Sequence, residues 1–424
     1  MDALQEAEKR ALEALDVDGM VDYLCRLIAV PSTGGNEAEA QRHVAAELRR
    51  IGFGVDAWKI DLEEARRHPS FSMGIPREEG VGVVGTIGGD KGRSLILNGH
   101  IDVVSAGDES NWTHPPWKGT VENGLLYGRG SVDMKGGLVC ALYAAKAIRD
   151  AGLRLRGKLI LESVIGEEDG GVGTLATVLR GYSADGAIIM EPSELNLIAA
   201  QAGALAFRIT VQGKSAHACV REEGVSAIEK FISLHGALRA LEGERNRGIT
   251  DPLYRRYSIP YPINIGKVQG GNWPGSVAEG LTFEGRIGVP VGERIEQARG
   301  ALEETIMKAS EEDPWLREHR PRVEWIGYQF RPASIPVGDP IVKTVSDSFR
   351  DAVGREPSIE GVTYSSDMHY IVYDAETPTL LFGPGDVRRA HSPDECVSLS
   401  DLMAAARTLC LTAMRFCGVE GQAP

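Results

Sequence analysis

His100 and Asp102 stand two residues apart at the end of residues 95–102, Leu-Ile-Leu-Asn-Gly-His-Ile-Asp. The apolar part of this run is too short for a stable helix and is closed by Asn98-Gly99, so it reads as a buried strand. Residues two apart on a strand point to the same side, which lets the Asp102 carboxylate hold one nitrogen of the His100 ring while the other faces a metal ion. A lone histidine at a strand end is more often structural; four further stretches change that balance. Asp133 lies in Gly-Arg-Gly-Ser-Val-Asp-Met-Lys-Gly-Gly, just before a predicted helix, where it could also be an N-cap. Glu167, Glu168 and Asp169 are packed between glycines, an arrangement of like charges that is unfavourable unless a cation or solvent offsets it. Glu191 ends another apolar run, and His391 follows the turn Gly383-Pro384-Gly385.

Two histidines and several carboxylates are the donors suited to zinc, cobalt or manganese. His100, Asp133, Glu168, Glu191 and His391 could together hold two divalent ions, with one carboxylate bridging. Glu167, beside a ligand but itself left free, would then accept a proton from a metal-activated water.

The elements that must position these residues alternate. Helical periodicity covers residues 18–50 with a break at 31–36, and Gly52 is placed to end the second helix. Strands are predicted at 81–87, 94–98, 158–164, 186–190 and 379–382, and helices at 136–151 and 172–179. That alternation implies an α/β layer with helices on the sheet faces, its acids and histidines near the carboxyl ends of the strands. Between them, strands at 205–211, 281–289 and 323–328 with helices at 225–241 and 294–308 suggest a small α+β insert. The expected organisation is a discontinuous metal-binding catalytic domain, residues 1–202 and 332–424, with a lid-like insert at 203–331, to which the resemblance described below adds a role in dimerisation.

The composition excludes several classes. A net charge of −14 over 424 residues argues against nucleic acid or an anionic membrane as partner. Six scattered cysteines form no Cys-x-x-Cys pair and fit reduced thiols. Residues 1–20 are charged and lack the apolar region of a secretory signal, and no run is long enough to span a membrane, so a cytoplasmic location is expected.

Five ordered motifs carry a resemblance: His100-Ile101-Asp102, the glycine-rich segment ending at Gly137, Gly166-Glu167-Glu168, Glu191-Pro192 and His391-Ser392-Pro393. Together they resemble the M20 metallopeptidase and amidohydrolase family, the group of acetylornithine deacetylase, succinyl-diaminopimelate desuccinylase and carboxypeptidase G. The resemblance implies that Asp133 bridges two metals, that His100 and Glu191 complete one and Glu168 and His391 the other, and that the peptide after Asp133 is cis. It makes Asp102 the carboxylate that orients His100, and Glu167 the general acid/base. Gly213-Lys214-Ser215-Ala216-His217 looks like the family's lid loop, whose histidine reaches a neighbouring subunit's site to stabilise an oxyanion; a homodimer is thereby implied. The segments around Asn272 and Arg286 resemble those that meet substrate, and an arginine fork there suggests a carboxylate on it. Trp273 and Gly285 depart from the family pattern, as does Tyr364-Ser365-Ser366-Asp367-Met368-His369, which places Ser365 near the substrate.

The function expected on these grounds is hydrolysis of the amide of a small N-acyl amino acid, acetylornithine-like, by two divalent ions, zinc first and cobalt or manganese as alternatives. A dipeptidase, a carboxypeptidase or a deformylase of the N-formyl-pyrimidine type would use the same site. From another class stand a catalytically silent metal-binding scaffold or sensor and a metal-free acyl-binding protein; retention of Glu167 weighs against the first.

Overall fold

The computed structural model describes residues 3–421, so the outermost residues of the expected 1–202 and 332–424 domain lie outside it. Its contacts divide the chain into two compact units. One runs up to Ala200 and includes Ser334–Glu360 and the chain from Ser366; the other is Gln201–Ala333 with Gly361–Ser365.

The first unit is built on a mixed sheet flanked by helices. Its strands lie in the order Gly54–Lys59, Val81–Gly88, Lys158–Val164, Leu95–His100, Gly186–Ile189, Thr379–Leu381, Leu197–Gln201. Four neighbours in the middle are parallel: Leu95–His100 pairs with Lys158–Val164 and Gly186–Ile189, and Thr379–Leu381 joins the latter. Every residue of Leu95–His100 is buried, as a parallel strand covered on both faces must be. The nearly wholly buried helix Lys135–Asp150 packs on this strand and against Leu399–Cys417. Because the four strands run the same way, their carboxyl ends emerge at one edge of the sheet, and that edge is where His100, Glu167, Glu191 and the turn before His391 are found.

Local signals explain the helix limits. Gly52 closes Ala38–Ile51 with a φ of 99°, a left-handed conformation that suits glycine. Asp133 does not cap Lys135–Asp150; the N-cap position belongs to Met134 and carries no side-chain hydrogen bond, which leaves the Asp133 carboxylate to the site. A small antiparallel sheet, Thr120–Glu122, Leu125–Tyr127 and Cys396–Ser398, ties the chain before Asp133 to the chain after His391.

The second unit is a four-stranded antiparallel sheet in the order Ile263–Gly270, Gly280–Val289, Gly203–Gln212, Arg322–Phe330, with helices Ala227–Asn246 and Ile295–Glu311. Phe207, Phe283, Leu234, Leu238, Leu302 and Ile306 form its core. Ile263–Gly270 carries no alternation in the sequence because, as an edge strand, it is exposed at almost every position.

All six cysteines are free. Among the described residues no helix is long and apolar enough to cross a membrane.

Candidate metal centre

His100 ends its strand with the ring buried. Its Nδ1 lies 2.9 Å from the backbone carbonyl oxygen of Asp102, while the Asp102 carboxylate is 3.7 Å away. The hydrogen-bond partner of the ring is thus the carbonyl, with the carboxylate beside it as a charge. The chain turns after His100, so the side chain of Asp102 reaches the neighbouring loop instead. There it accepts the backbone N–H of Glu167 at 3.3 Å through one oxygen and that of Glu168 at 3.1 Å through the other.

His100 Nε2 points at Asp133 Oδ1, 3.1 Å away, and the second oxygen, Oδ2, lies 3.3 Å from His391 Nε2. His391 Nε2 is also 3.0 Å from Glu168 Oε1. Glu191 Oε1 and Glu167 Oε2 approach His100 Nε2 to 3.8 and 3.9 Å. Asp133 thus stands between the two histidines, one oxygen to each, and the peptide between Asp133 and Met134 is cis. The ligand atoms of His100, Asp133 and Glu168, and separately those of His100, Glu167 and Glu191, lie within 4.8 Å of one another.

Burial pushes Glu167 and Glu191 well above the ordinary carboxylate range and Glu168 up to about 7, and the neighbouring carboxylates add to it. Burial would raise Asp133 too, but hydrogen bonds with His100 and His391 outweigh it and hold that carboxyl well below its usual value. The same bonds raise His391, with Asp133 and Glu168 as partners, to about 10. Burial disfavours the charged form of His100, yet Asp133 and the charges of Asp102 and Glu191 carry it well above an ordinary histidine. Glu191 Oε1 is buried without a hydrogen-bond partner. An anionic oxygen so placed is costly unless a cation meets it, and the nitrogen and oxygen donors around it fit divalent metal.

The remaining sequence-predicted residues belong to the second unit. His217 is exposed, and its Nδ1 accepts the backbone N–H of Cys219 at 3.2 Å, which leaves the proton of the neutral ring on Nε2. Asn272 donates to Glu279 Oε1 at 3.1 Å, and Ser365 donates its hydroxyl to the Ala202 carbonyl at 2.7 Å. Arg286 donates to the Thr363 carbonyl at 2.9 Å, while its buried Nε has no hydrogen-bond partner. No carboxylate among the described residues pairs with Arg286, so it is not the surface ion pair that a strand arginine among many acids would suggest.

Two acids missed in the sequence support the centre. Glu395 Oε1 accepts the backbone N–H groups of Val132 and Asp133 at 3.0 and 3.2 Å, while Oε2 takes Arg129 Nη1 at 2.5 Å. Asp367 is wholly buried; its Oδ2 accepts the Thr174 hydroxyl at 2.6 Å, its Oδ1 has no hydrogen-bond partner, and burial pushes it up to about 7. The only signal for Glu395 was its place next to the His391 motif, and for Asp367 its place in a segment that departs from the family pattern.

Residues 96–415 match the model of peptidase family M20/M25/M40. An N-formyl-4-amino-5-aminomethyl-2-methylpyrimidine deformylase of Bacillus subtilis (strain 168) is 33% identical over 389 residues, covering 87% of both chains. The enzyme of the same name from Halalkalibacterium halodurans is 31% identical and covers 92% of both. Among solved structures, the dipeptidase Dug1p of Saccharomyces cerevisiae superposes with a TM-score of 0.77 at 15% identity, covering 98% of both chains, and shows the shared fold.

Proposed function

The chain belongs to peptidase family M20/M25/M40, and from that premise we propose that it hydrolyses the amide of a small N-acyl amine, with an N-formyl-aminomethylpyrimidine as the first substrate and two divalent ions at the centre, zinc before cobalt or manganese. The observation that carries this reading is the Asp133 carboxylate, shared between His100 and His391 with Glu191 and Glu168 on either side. The deformylase relatives supply the substrate class.

His100, Asp133 and Glu191 would hold one ion, and Asp133, Glu168 and His391 the other. Bound there, the pair would supply Lewis acidity to the acyl carbonyl and lower the pKa of a water. Glu167 is the proton carrier: its carboxylate takes a proton from the attacking water and returns it to the nitrogen of the leaving amine. One C–N bond is broken, and a free amine and a small carboxylate, formate for a formyl group, leave.

In this reading residues 203–331 form a lid and dimerisation domain, and His217 offers its Nε2–H to the developing oxyanion in the partner's site. Exposed Ile228 and Ile232, one turn apart on Ala227–Asn246, with Val268 on the edge strand and Trp273, 72% exposed, support a homodimer. Free thiols agree with a cytoplasmic setting. A second reading, an N-acyl amino acid, is favoured by Arg286, a half-buried cation paired with no acid, since the pyrimidine has no carboxylate to offer it.

Enzyme reloaded with zinc or cobalt, beside a chelated control, is assayed on the formylated aminomethylpyrimidine, N-formyl and N-acetyl amino acids, and dipeptides. Metal-dependent release of formate from the pyrimidine supports the first reading. Preference for an amino-acid amide, abolished in Arg286→Met, would move the assignment to the second. Silence on the whole panel with both ions bound would refute both and leave a metal-binding homologue without turnover.

A further inference from the structure

The Glu167-Glu168 loop is held on one side by Asp102. On the other side lies a strap, residues 70–77, for which the proposed chemistry has no use. Its anchor is Arg77, whose side chain is 0% exposed. The guanidinium forks onto Asp169, Nη1 to Oδ2 at 2.8 Å and Nη2 to Oδ1 at 2.6 Å, one residue past Glu168. Nε and Nη2 also meet Glu37 Oε1 at 3.1 and 2.7 Å.

The strap backbone completes the attachment. Gly74 N–H donates to the Asp169 carbonyl at 2.6 Å, and Ile75 N–H to Asp169 Oδ2 at 2.7 Å. The Tyr370 hydroxyl lies 2.7 Å from the Gly170 carbonyl oxygen. Gly170, at φ 143°, has no room for a side chain: a Cβ there would come within 2.5 Å of the Ser72 backbone. A Cβ on Gly166 would meet Arg77 Nη2 at 3.0 Å. The glycines flanking the acids therefore let the strap and the Arg77 fork lie directly on the loop.

We infer that Arg77 is a positioning residue for the reaction: its fork onto Asp169 sets the height of the Glu167-Glu168 loop against Asp102, and so the aim of the Glu167 carboxylate. The inference rests on the reading of Glu167 as proton carrier, but the clamp itself can be tested without substrate. A bidentate fork fixes both distance and plane, which a lysine ammonium cannot do. Misplacement of a catalytic group by an ångström costs on the order of a hundredfold in rate.

The test compares metal-loaded Arg77→Lys, Asp169→Asn and Arg415→Lys, the last loosening the Glu8 pair on the C-terminal helix as a control for stability. Backbone hydrogen exchange across residues 166–171 and steady-state kinetics are both measured. Arg77→Lys and Asp169→Asn should each speed exchange in that segment at least about tenfold and lower kcat about 10- to 100-fold, with KM within about twofold and bound metal unchanged. The control should move the melting temperature and leave the segment's exchange as in the wild type. Unchanged exchange at 166–171 in both variants overturns the clamp, whatever the substrate is. So does a loss of kcat that vanishes when rates are divided by bound metal. If wild-type enzyme shows no hydrolysis, the functional reading falls, and the exchange data still decide on the clamp.

Discussion

The two oxygens of Asp102 accept the backbone N–H groups of Glu167 and Glu168, at 3.3 and 3.1 Å, and reach the His100 ring only at 3.7 Å. One residue thereby sets two parts of the centre: its carbonyl fixes the His100 ring through Nδ1, and its carboxylate fixes the loop that carries the proposed proton acceptor, Glu167, and the proposed metal ligand, Glu168. Glu395 repeats the device on the other side, accepting two backbone N–H groups at Asp133 from a position four residues after His391. The centre is thus held together by carboxylates that bind backbone, while the proposed ligands Asp133 and Glu168 turn to the two histidines.

Asp102→Asn tests this division. An amide has one acceptor oxygen where the loop presents two N–H groups, so one donor would face the new NH2. An unmet buried donor costs about 1–3 kcal/mol, which corresponds to a roughly ten- to hundredfold lower kcat if the loop shifts to relieve it. His100 keeps its backbone acceptor, so metal content by mass spectrometry should stay near wild type. Loss of metal at the His100 site, with loop exchange unchanged, would mean that the carboxylate acts on His100 after all.

Glu167→Gln keeps the shape of the side chain and removes its capacity to carry a proton. General acid/base catalysis contributes about 10²–10⁴-fold, and kcat on the best substrate should fall by that order while both ions remain bound. Turnover within a factor of a few of wild type would remove Glu167 from the mechanism.

Metal loading should release protons. In the metal-free protein His391 is raised to about 10 by Asp133 and Glu168, and Glu168 is raised to about 7 by burial. Both hold protons at pH 6 that a cation must displace, so affinity should rise with pH through neutrality and weaken below it. Calorimetric titration with zinc at pH 7 in two buffers of different ionisation enthalpy measures the release. Equal heats in the two buffers would exclude these groups as ligands.

The strand ends that carry the proposed ligands were legible because the strands before His100 and Glu191 are short apolar runs, and such runs can only be buried strands or helix pieces. The sharing of Asp133 was carried by the resemblance, since a lone Asp before a helix equally suggests a cap. What supports the centre was not legible. Glu395 meets Val132 across 263 positions, and Arg77 meets Asp169 across 92, and no local pattern marks pairs so far apart. The edge strand Ile263–Gly270 was missed for a different reason: with both its faces largely exposed it has no alternation to read.

Glu162 allows a prediction about stability alone. It lies in the buried part of its strand, where Oε2 accepts Asn98 Nδ2 at 2.9 Å and the Thr177 hydroxyl at 3.3 Å, and burial pushes it from 4.5 up to about 7. Between those values the folded protein keeps a proton that the unfolded chain has released. Its contribution to stability is therefore fully present below 4.5 and is lost as pH rises through about 7. The loss is of the order of 3 kcal/mol at most, since the neighbouring Asp367 is raised by the same burial and shares the field. Glu162→Gln removes the charge and keeps an acceptor for Asn98 and Thr177. It should melt a few degrees above wild type at pH 8 and together with it at pH 4.5. A variant that melts at or below the wild-type temperature at pH 8 would show that the fold satisfies the ionised carboxylate and that burial does not hold a proton on Glu162.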